Sequence, residues 1–522
     1  MKAVSIFSIL ALAQVGSAVG VTGPVWRFWS PVLSRHFYTI SEAEKDWVTS
    51  VYGDVWTYEG VSYNAHELAD SPDLMPVYRF WSDRLSAHFY TISETERDKI
   101  INEYSHVWTY EGIVFYAYPA GSQPAGTLPV YRFWSGRLET HFYTAGNAER
   151  FAVAGEGSSV WTYEGIAWYA YPADSAAPVA IVKGPYLPLP ASDSITVMWE
   201  TSAAADSRVD YGTTALSESF VANADLCTLH KVELSGLAPD TNYVYRVTSA
   251  AATSSVSNFT TAPGANRSFR FAVYGDTRTY PEVHAEVVQS MINSGPEIVF
   301  HTGDIISTGR NYDLWGSEFF APAQDLLLTT PMVPVLGNHD YGGTGPLWFF
   351  YFFDRPYGAG WFAMTYGNTR FIGLDTDVSF SPGSPQYEWL LGELASAAYS
   401  DATWHVVFFH HPPFTATVGH SDNASVQSQL IPLFESYGVD IAFQGHSHAY
   451  ERHWHNGIYY LVAGGGGAPL YSLVADTTPP LRQFGLSAYH HCVVDVDVAA
   501  QTLTVAAVDN SGQTFDAIEL HQ

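Results

Sequence analysis

The sequence predicts a chain of three parts: a β-rich module of three equal repeats, a small all-β sandwich, and a layered α/β domain that carries the chemistry. Three observations predict it. VWRFWS at residue 25 returns as VYRFWS at 77 and 130, and HFYT at 36 returns at 88 and 141. Short alternating strands separated by turn residues then run from about residue 180 to 260. From Arg267 onward, apolar strands alternate with amphipathic helices, the pattern of an α/β layer structure.

The first part spans residues 19–173, with units near 25–66, 77–119 and 130–172. Each unit reads as strand, turn, strand, a short helix such as SEAEKDWV, and a strand pair such as TYEGIVFYAY. The helix opens on a serine cap with an acidic first turn. Three equal units predict a closed, pseudo-threefold module. Its aromatics, Trp29, Trp81 and Trp134 among them, have two roles open: the shared core of the repeats, or platforms for sugar rings in a glycan or cell wall. His36, His88 and His141 recur without a partner at ligand spacing and read as structural. The segment resembles an aromatic repeat family of secreted microbial proteins, which implies an architecture and a location.

YPADSAAPVA at 171–180 is a linker rich in proline and alanine. The strands of 178–263 follow, with Trp199, Tyr243 and Tyr245 as core anchors. LAPDTNYVYRV at 237–247 resembles a fibronectin type III sandwich. No chemical constellation falls there.

Composition bounds the function. The chain has 522 residues, too many for one ordinary domain, and 47% hydrophobic against 14% charged residues supply material for true cores. A net charge of −29 repels nucleic-acid phosphates, so no nucleic-acid partner is expected. Lys2, the apolar run 3–15 and the small residues Gly16 and Ala18 read as a signal peptide, 1–18, cleaved after Ala18. That predicts a secreted, extracellular protein, and no later stretch is long enough to span a membrane. Sequons at Asn258, Asn266 and Asn423 agree with secretion. Cys227 and Cys492 leave a disulfide or two separate thiols equally open.

The third part, 267–522, holds the chemistry. FRFAVYGD, EIVFHTGD, MVPVLGNHD, WHVVFFHH and DIAFQGHSH are strands that end in metal-capable residues, where α/β folds gather ligands. WFAMTYGNTRFIGLD reads as a hairpin about Gly367-Asn368. Asp276, Asp304, Asn338, His410, His446 and His448 therefore predict one binuclear site. Carboxylate and amide oxygens with imidazoles suit Fe, Zn or Mn, and both ions could be divalent or one trivalent.

These motifs, YGDTR, TGDII, LGNHD, VFFHH and GHSH, resemble the calcineurin-like metallophosphoesterase signature; GHSHAYER after a fibronectin-like domain resembles the purple acid phosphatase branch. The resemblance covers roughly 180–522 and implies two mixed β-sheets flanked by helices. It implies that Asp276, Asp304 and His448 bind one metal and that Asp304, Asn338, His410 and His446 bind the other, with Asp304 bridging. It makes His339 the group facing the leaving oxygen, with Asp340 orienting it. It implies metal-activated hydrolysis of phosphomonoesters, or of phosphodiesters by the same pair. Two departures stand out. Ser307 occupies the place of the branch's ferric-iron tyrosine, so the protein is expected not to be purple. Arg278 replaces a histidine ligand of many relatives, and could clamp a phosphate or form an ion pair with a neighbouring acid. His284 has two readings as well, a further ligand or an exposed position on its helix.

Overall fold

The computed structural model describes residues 22–154, 160–173, 179–342, 346–353, 360–477, 479–480 and 482–522. The expected leader, 1–18, lies outside the described residues, as do parts of the 171–180 linker and of the loop 341–360. The chain divides into two compact units, one formed in the main by residues before 181 and the other in the main by 181–522.

In the first unit each repeat contributes three antiparallel strands and one helix; the strands of the first two repeats join in one six-stranded sheet through His66 and Tyr116, and those of the third form a three-stranded sheet. The strands of the first repeat are Thr22–Ser30, Arg35–Thr39 and Thr57–His66, with the helix Glu42–Val51. Ser41 and Ser93 cap the first two helices by accepting from Glu44 N and Glu96 N; the third repeat has Gly146 in that place. The expected strand pair is instead a single strand in every repeat. Gly60, Gly112 and Gly165 sit at φ +106°, +109° and +113°, and the pairing register slips beside each. A bulge absorbs the slip and bends one strand where the sequence suggested two.

The three repeats are tied in a ring. Tyr38 donates to Tyr143 O (2.6 Å), Tyr143 to Tyr90 O (2.6 Å) and Tyr90 to Tyr38 O (2.9 Å). Around them Arg27 pairs with Glu149, Arg79 with Glu44, and Arg132 with Glu96, each arginine bridging to another repeat's helix. Val25, Val77 and Val130 and the three tyrosines fill the centre. The repeated tryptophans lie against the repeated histidines instead, ring centroids 4.6–4.7 Å apart and planes tilted by 40–46°, with Trp81 buried but Trp29 and Trp134 only half-buried.

Ile181–Tyr186, Ser194–Gly212, Ser219–Ser235, Asn242–Ser249, Ala252–Thr253 and Ser257–Thr260 form one hydrogen-bonded network, which falls in the second unit apart from Ser202–Ser207 and Asn223–Thr228. The expected two sheets are joined because the 19-residue strand Ser194–Gly212 pairs with Ile181–Tyr186 through its first part and Asn242–Ser249 through its last. Trp199, Tyr243 and Tyr245 lie in its core. Tyr186 and Tyr245 donate to Phe352 O and Leu328 O, seating this domain on the next one.

The remainder is a sandwich of two mixed sheets. One has six strands, with Phe269–Tyr274 between parallel Ile298–His301 and antiparallel His490–Asp497; the other has seven, with Trp404–Phe408 and Ile441–Gln444 parallel at its centre. Phe362–Tyr366 and Thr369–Gly373 form the expected hairpin. Phe271, Phe300, Phe371, Phe408 and Phe443 fill the space between the sheets, with Phe300 stacked 4.4 Å from Phe408. Cys492 is buried in this core; no disulfide joins it to Cys227. Among the described residues no helix is long and apolar enough to cross a membrane.

Candidate metal centre

Both central pairs of parallel strands run out at the same edge of the sandwich, and tight turns follow them. Asp276, Asp304 and His446 each come straight after a glycine and take left-handed backbone angles, φ +58°, +55° and +68°. Aspartate tolerates this region better than most residues, and here it turns each side chain back over the strand end. The glycines are there for room. A Cβ on Gly445 would lie 2.5 Å from Asp276 Oδ2, and one on Gly303 2.7 Å from Gly337 N.

Four of the predicted ligands meet at His410. Its Nδ1–H donates to Thr302 O (2.9 Å), which leaves Nε2 as a bare lone pair. That nitrogen lies 3.2 Å from Asn338 Oδ1, 3.2 Å from His446 Nδ1 and 3.3 Å from Asp304 Oδ1. Three acceptors and one imidazole nitrogen thus face each other with at most one proton among them. His410 and Asp304 are buried, Asn338 is exposed and His446 half-buried; acceptors crowded at the mouth of a buried pocket suit a cation that stays open to solvent. The remaining ligands lie alongside. Nε2 of His448 is 3.5 Å from Asp276 Oδ1, and its Nδ1–H is held by Pro469 O at 2.7 Å. One ligand atom from each of Asp276, Asp304 and His448 falls within 4.8 Å of the others.

The electrostatics agree. Burial and the neighbouring Asp304 push the Asp276 carboxyl well above the usual carboxylate range. Burial, with other imidazoles nearby, holds His446 down to about 2; burial holds His448 down to about 4, and His410 is also far below the ordinary value. These imidazoles are therefore neutral, the form that ligates metals. The donor set fits Fe, Zn or Mn.

Family models and relatives match separate parts of the chain. Residues 269–450 match the calcineurin-like phosphoesterase model, 182–261 the N-terminal domain of purple acid phosphatase, and 24–171 a domain of unknown function (DUF5648). Residues 269–450 are thus similar to calcineurin-like phosphoesterases. Purple acid phosphatase 15 of Arabidopsis thaliana is 27% identical over 288 residues, covering 46% of this chain and 53% of that protein. Acid phosphatase type 7 of Danio rerio is 26% identical over 322 residues, covering 50% and 69%. The chain thus spans about half the length of the first of these relatives. A purple acid phosphatase from yellow lupin seeds shares the fold, with a TM-score of 0.59 at 20% identity over 69% of this chain and 77% of that one.

Several side chains of the phosphoesterase domain differ from the sequence reading. Asp340 does not touch His339. It is fully buried and accepts three backbone N–H bonds of 2.9 Å, from Asp304, Ile305 and Gly337, so it holds the ligand turns together. The His339 ring is oriented by Ser307 O, 2.8 Å from Nδ1, and its Nε2 lies 4.0 Å from Asp304 Oδ2. His284 is neither exposed nor at the site. It is buried, bonded to Glu318 O and the Tyr274 hydroxyl. Arg278 forms the ion pair, with Nε 3.4 Å from Asp304 Oδ2. Ser307 is occupied with Glu318, through N–H···Oε2 (2.6 Å) and Oγ–H···Oε1 (2.9 Å).

Three residues at the centre were not picked out from the sequence. His411 offers a ligand atom within 4.8 Å of those of His410 and His446. The His-His doublet was its only signal. The His420 ring lies 4.5 Å from His446, and Tyr471 stacks on His448 at 4.1 Å. Both come from loops without a spacing code.

Proposed function

We propose that the chain is a secreted, metal-dependent phosphoester hydrolase that acts on phosphomonoesters at a two-metal centre. The observation that carries this reading is the convergence of Asp304, Asn338, His410 and His446 through acceptor atoms. Asp276, Asp304 and His448 would hold one ion, and Asp304, Asn338, His410 and His446 the other. When bound, the pair supplies positive charge for the phosphoryl oxygens and a water of lowered pKa.

The protein's own groups do the rest. Asp304 spans the two pockets, Oδ1 facing His410 and Oδ2 facing the other side. His339 is one-third exposed and anchored through Nδ1. As imidazolium it presents Nε2–H outward, where it can protonate a departing alkoxide. Metal-depleted protein should be inactive, and Mn, Zn or Fe should restore hydrolysis of an alkyl phosphate over its diester. Activity that survives complete metal removal would defeat the reading, and faster diester turnover would make the protein a diesterase.

The repeat module supports a glycan contact. A cavity of about 510 Å³ is lined by Phe89, Trp108 and Trp134, with Arg84, Glu96 and Lys99 as polar groups. Ring faces beside a few charged donors and acceptors suit a pyranose. Trp134→Ala should weaken retention on insoluble polysaccharide without changing phosphoester turnover. Unchanged retention would remove the glycan reading.

A further inference from the structure

The two pockets are not equally vacant of positive charge. Arg278 reaches the Asp276–Asp304–His448 side and sets its positive charge against two of the three ligand groups that a metal there would need. Its Nε lies 3.4 Å from Asp304 Oδ2, and its Nη2 lies 3.3 Å from His448 Nε2. The latter can only be a donation to a lone pair, because the proton of His448 is on Nδ1, bonded to Pro469 O. The guanidinium is only 14% exposed, and its charge acts on the nearby Tyr471 hydroxyl. Its loop is braced too: Arg278 Nη1 contacts Thr279 Oγ1, which bonds Ser307 Oγ. On the Asn338–His410–His446 side, the described residues put no such donor among the acceptors.

The ligand shells differ in the same direction. The Asn338 side has four protein ligands, with His411 near. The other side has three, one of them shared, and Ser307 is turned away to Glu318. An arginine cannot lose its proton to make way for an ion, so it must either move or repel.

We propose that Arg278 competes with metal for the Asp276–Asp304–His448 pocket, so that the Asn338–His410–His446 pocket fills first and tightly while the other fills only weakly. This rests on the metal-dependent reading above. A buried cation already paired with Asp304 and His448 must be displaced before an ion enters, and that lowers the ion's apparent affinity by about 10–100-fold. The site is then a one-metal centre at low metal, with an arginine in place of the second charge.

The test counts metals in the full-length protein. After equilibration with low micromolar Mn2+ and removal of excess, wild type should hold one Mn2+ per chain by elemental analysis. Its electron paramagnetic resonance spectrum should be that of an isolated ion. Arg278→Ala should hold two, with a spin-coupled spectrum and a second-site affinity about 10–100-fold higher. In case that variant folds poorly, two others carry the same question: His448→Ala should keep the single ion, and Asn338→Ala should lose it. Two equally tight ions in wild type would overturn the competition while leaving the hydrolase reading intact. No ion in wild type at any concentration would overturn the hydrolase reading itself, and the competition with it.

Discussion

The repeat ring and the metal centre are both buried clusters rich in carboxylates, yet their hydrogen-bonding capacities are met in opposite ways. In the ring the arginine-paired carboxylates and the central tyrosines face donors and acceptors of their own. Arg79 reaches Glu44 through both terminal nitrogens at 3.0 Å and Glu111 through Nε at 2.7 Å, and each central tyrosine hydroxyl donates to a carbonyl. In the centre, His410 Nε2 faces Asn338 Oδ1 and Asp304 Oδ1 with no proton to share. A buried polar cluster that satisfies itself stabilises a fold; one that cannot is built around something else. The contrast makes a two-sided demand. Variants of the centre should change metal content before stability, and variants of the ring should change stability and leave metal alone.

Asp304→Asn should have the largest effect. It keeps an oxygen to accept His339 N–H but removes the negative charge shared by the two pockets. Turnover should fall to background and metal content should drop on both sides, while the melting temperature of the metal-free protein stays close to wild type. Near-normal metal and activity would show that Asp304 does not bridge.

His339→Ala comes next, and its effect should depend on the substrate. General acid catalysis contributes about 10²–10⁴-fold, so alkyl phosphates should lose about that much. Nitrophenyl phosphate, whose leaving group needs little help, should lose far less. Asp340→Asn should behave differently, because Asp340 binds the turns and not the imidazole. An amide accepts at one oxygen only, so at least one buried N–H loses its partner, at about 1–3 kcal/mol. Both substrates should then lose activity equally, with metal. A leaving-group dependence for Asp340→Asn would restore it as the orienting group.

Much of this was legible in the sequence because it rests on periodicity. The 52- and 53-residue spacing announces the repeats, and the strand-end residues of GD, GNHD, HH and GHSH announce the metal pockets. His284 was legible too, although its burial was not foreseen: with Val287, Val288 and Met291 it follows the i, i+3, i+4, i+7 pattern of the buried face. Asp340 was not legible. In a one-turn helix, Asn338–Tyr341, a carboxylate can reach the neighbouring ring or the backbone of a turn far away in sequence, and only the fold decides. The same holds for Arg278, whose long side chain could point to substrate or to Asp304, and for Tyr471, which arrives beside His448 through a backbone bond between loops.

Arg79→Met tests the other half of the comparison. It leaves Glu44 and Glu111 at a part-buried site without their cation; removing one partner of a buried pair costs about 3–5 kcal/mol. The transition of the repeat module in a calorimetric scan should move down by a corresponding amount. Metals per chain and turnover of a small phosphomonoester should not move. A loss of metal in a variant so placed would mean that the ring takes part in the centre after all.

The smallest effect belongs to the tyrosines, and it is the finest test of whether the ring is self-satisfied. The Tyr90 hydroxyl donates to Tyr38 O at 2.9 Å and accepts from Tyr38 N at 3.1 Å. The other two repeat the arrangement: Tyr143 OH accepts from Tyr90 N, and Tyr38 OH accepts from Tyr143 N at 3.3 Å. One oxygen thus closes both backbone groups of a neighbouring repeat, within a centre that water does not reach. Tyr90→Phe keeps the ring packing and removes only these two bonds, so it should cost about 1–3 kcal/mol. Tyr38→Phe and Tyr143→Phe should cost about the same, since each plays the same part. Two such changes together should cost less than their sum, because Tyr90 holds the backbone of Tyr38, whose own hydroxyl holds that of Tyr143, and the second removal finds a loosened partner. Chemical denaturation of the single and double variants measures this directly. Strict additivity would show three separate bonds and no ring, and a cost confined to one tyrosine would show that the threefold likeness of the repeats does not extend to their energetics.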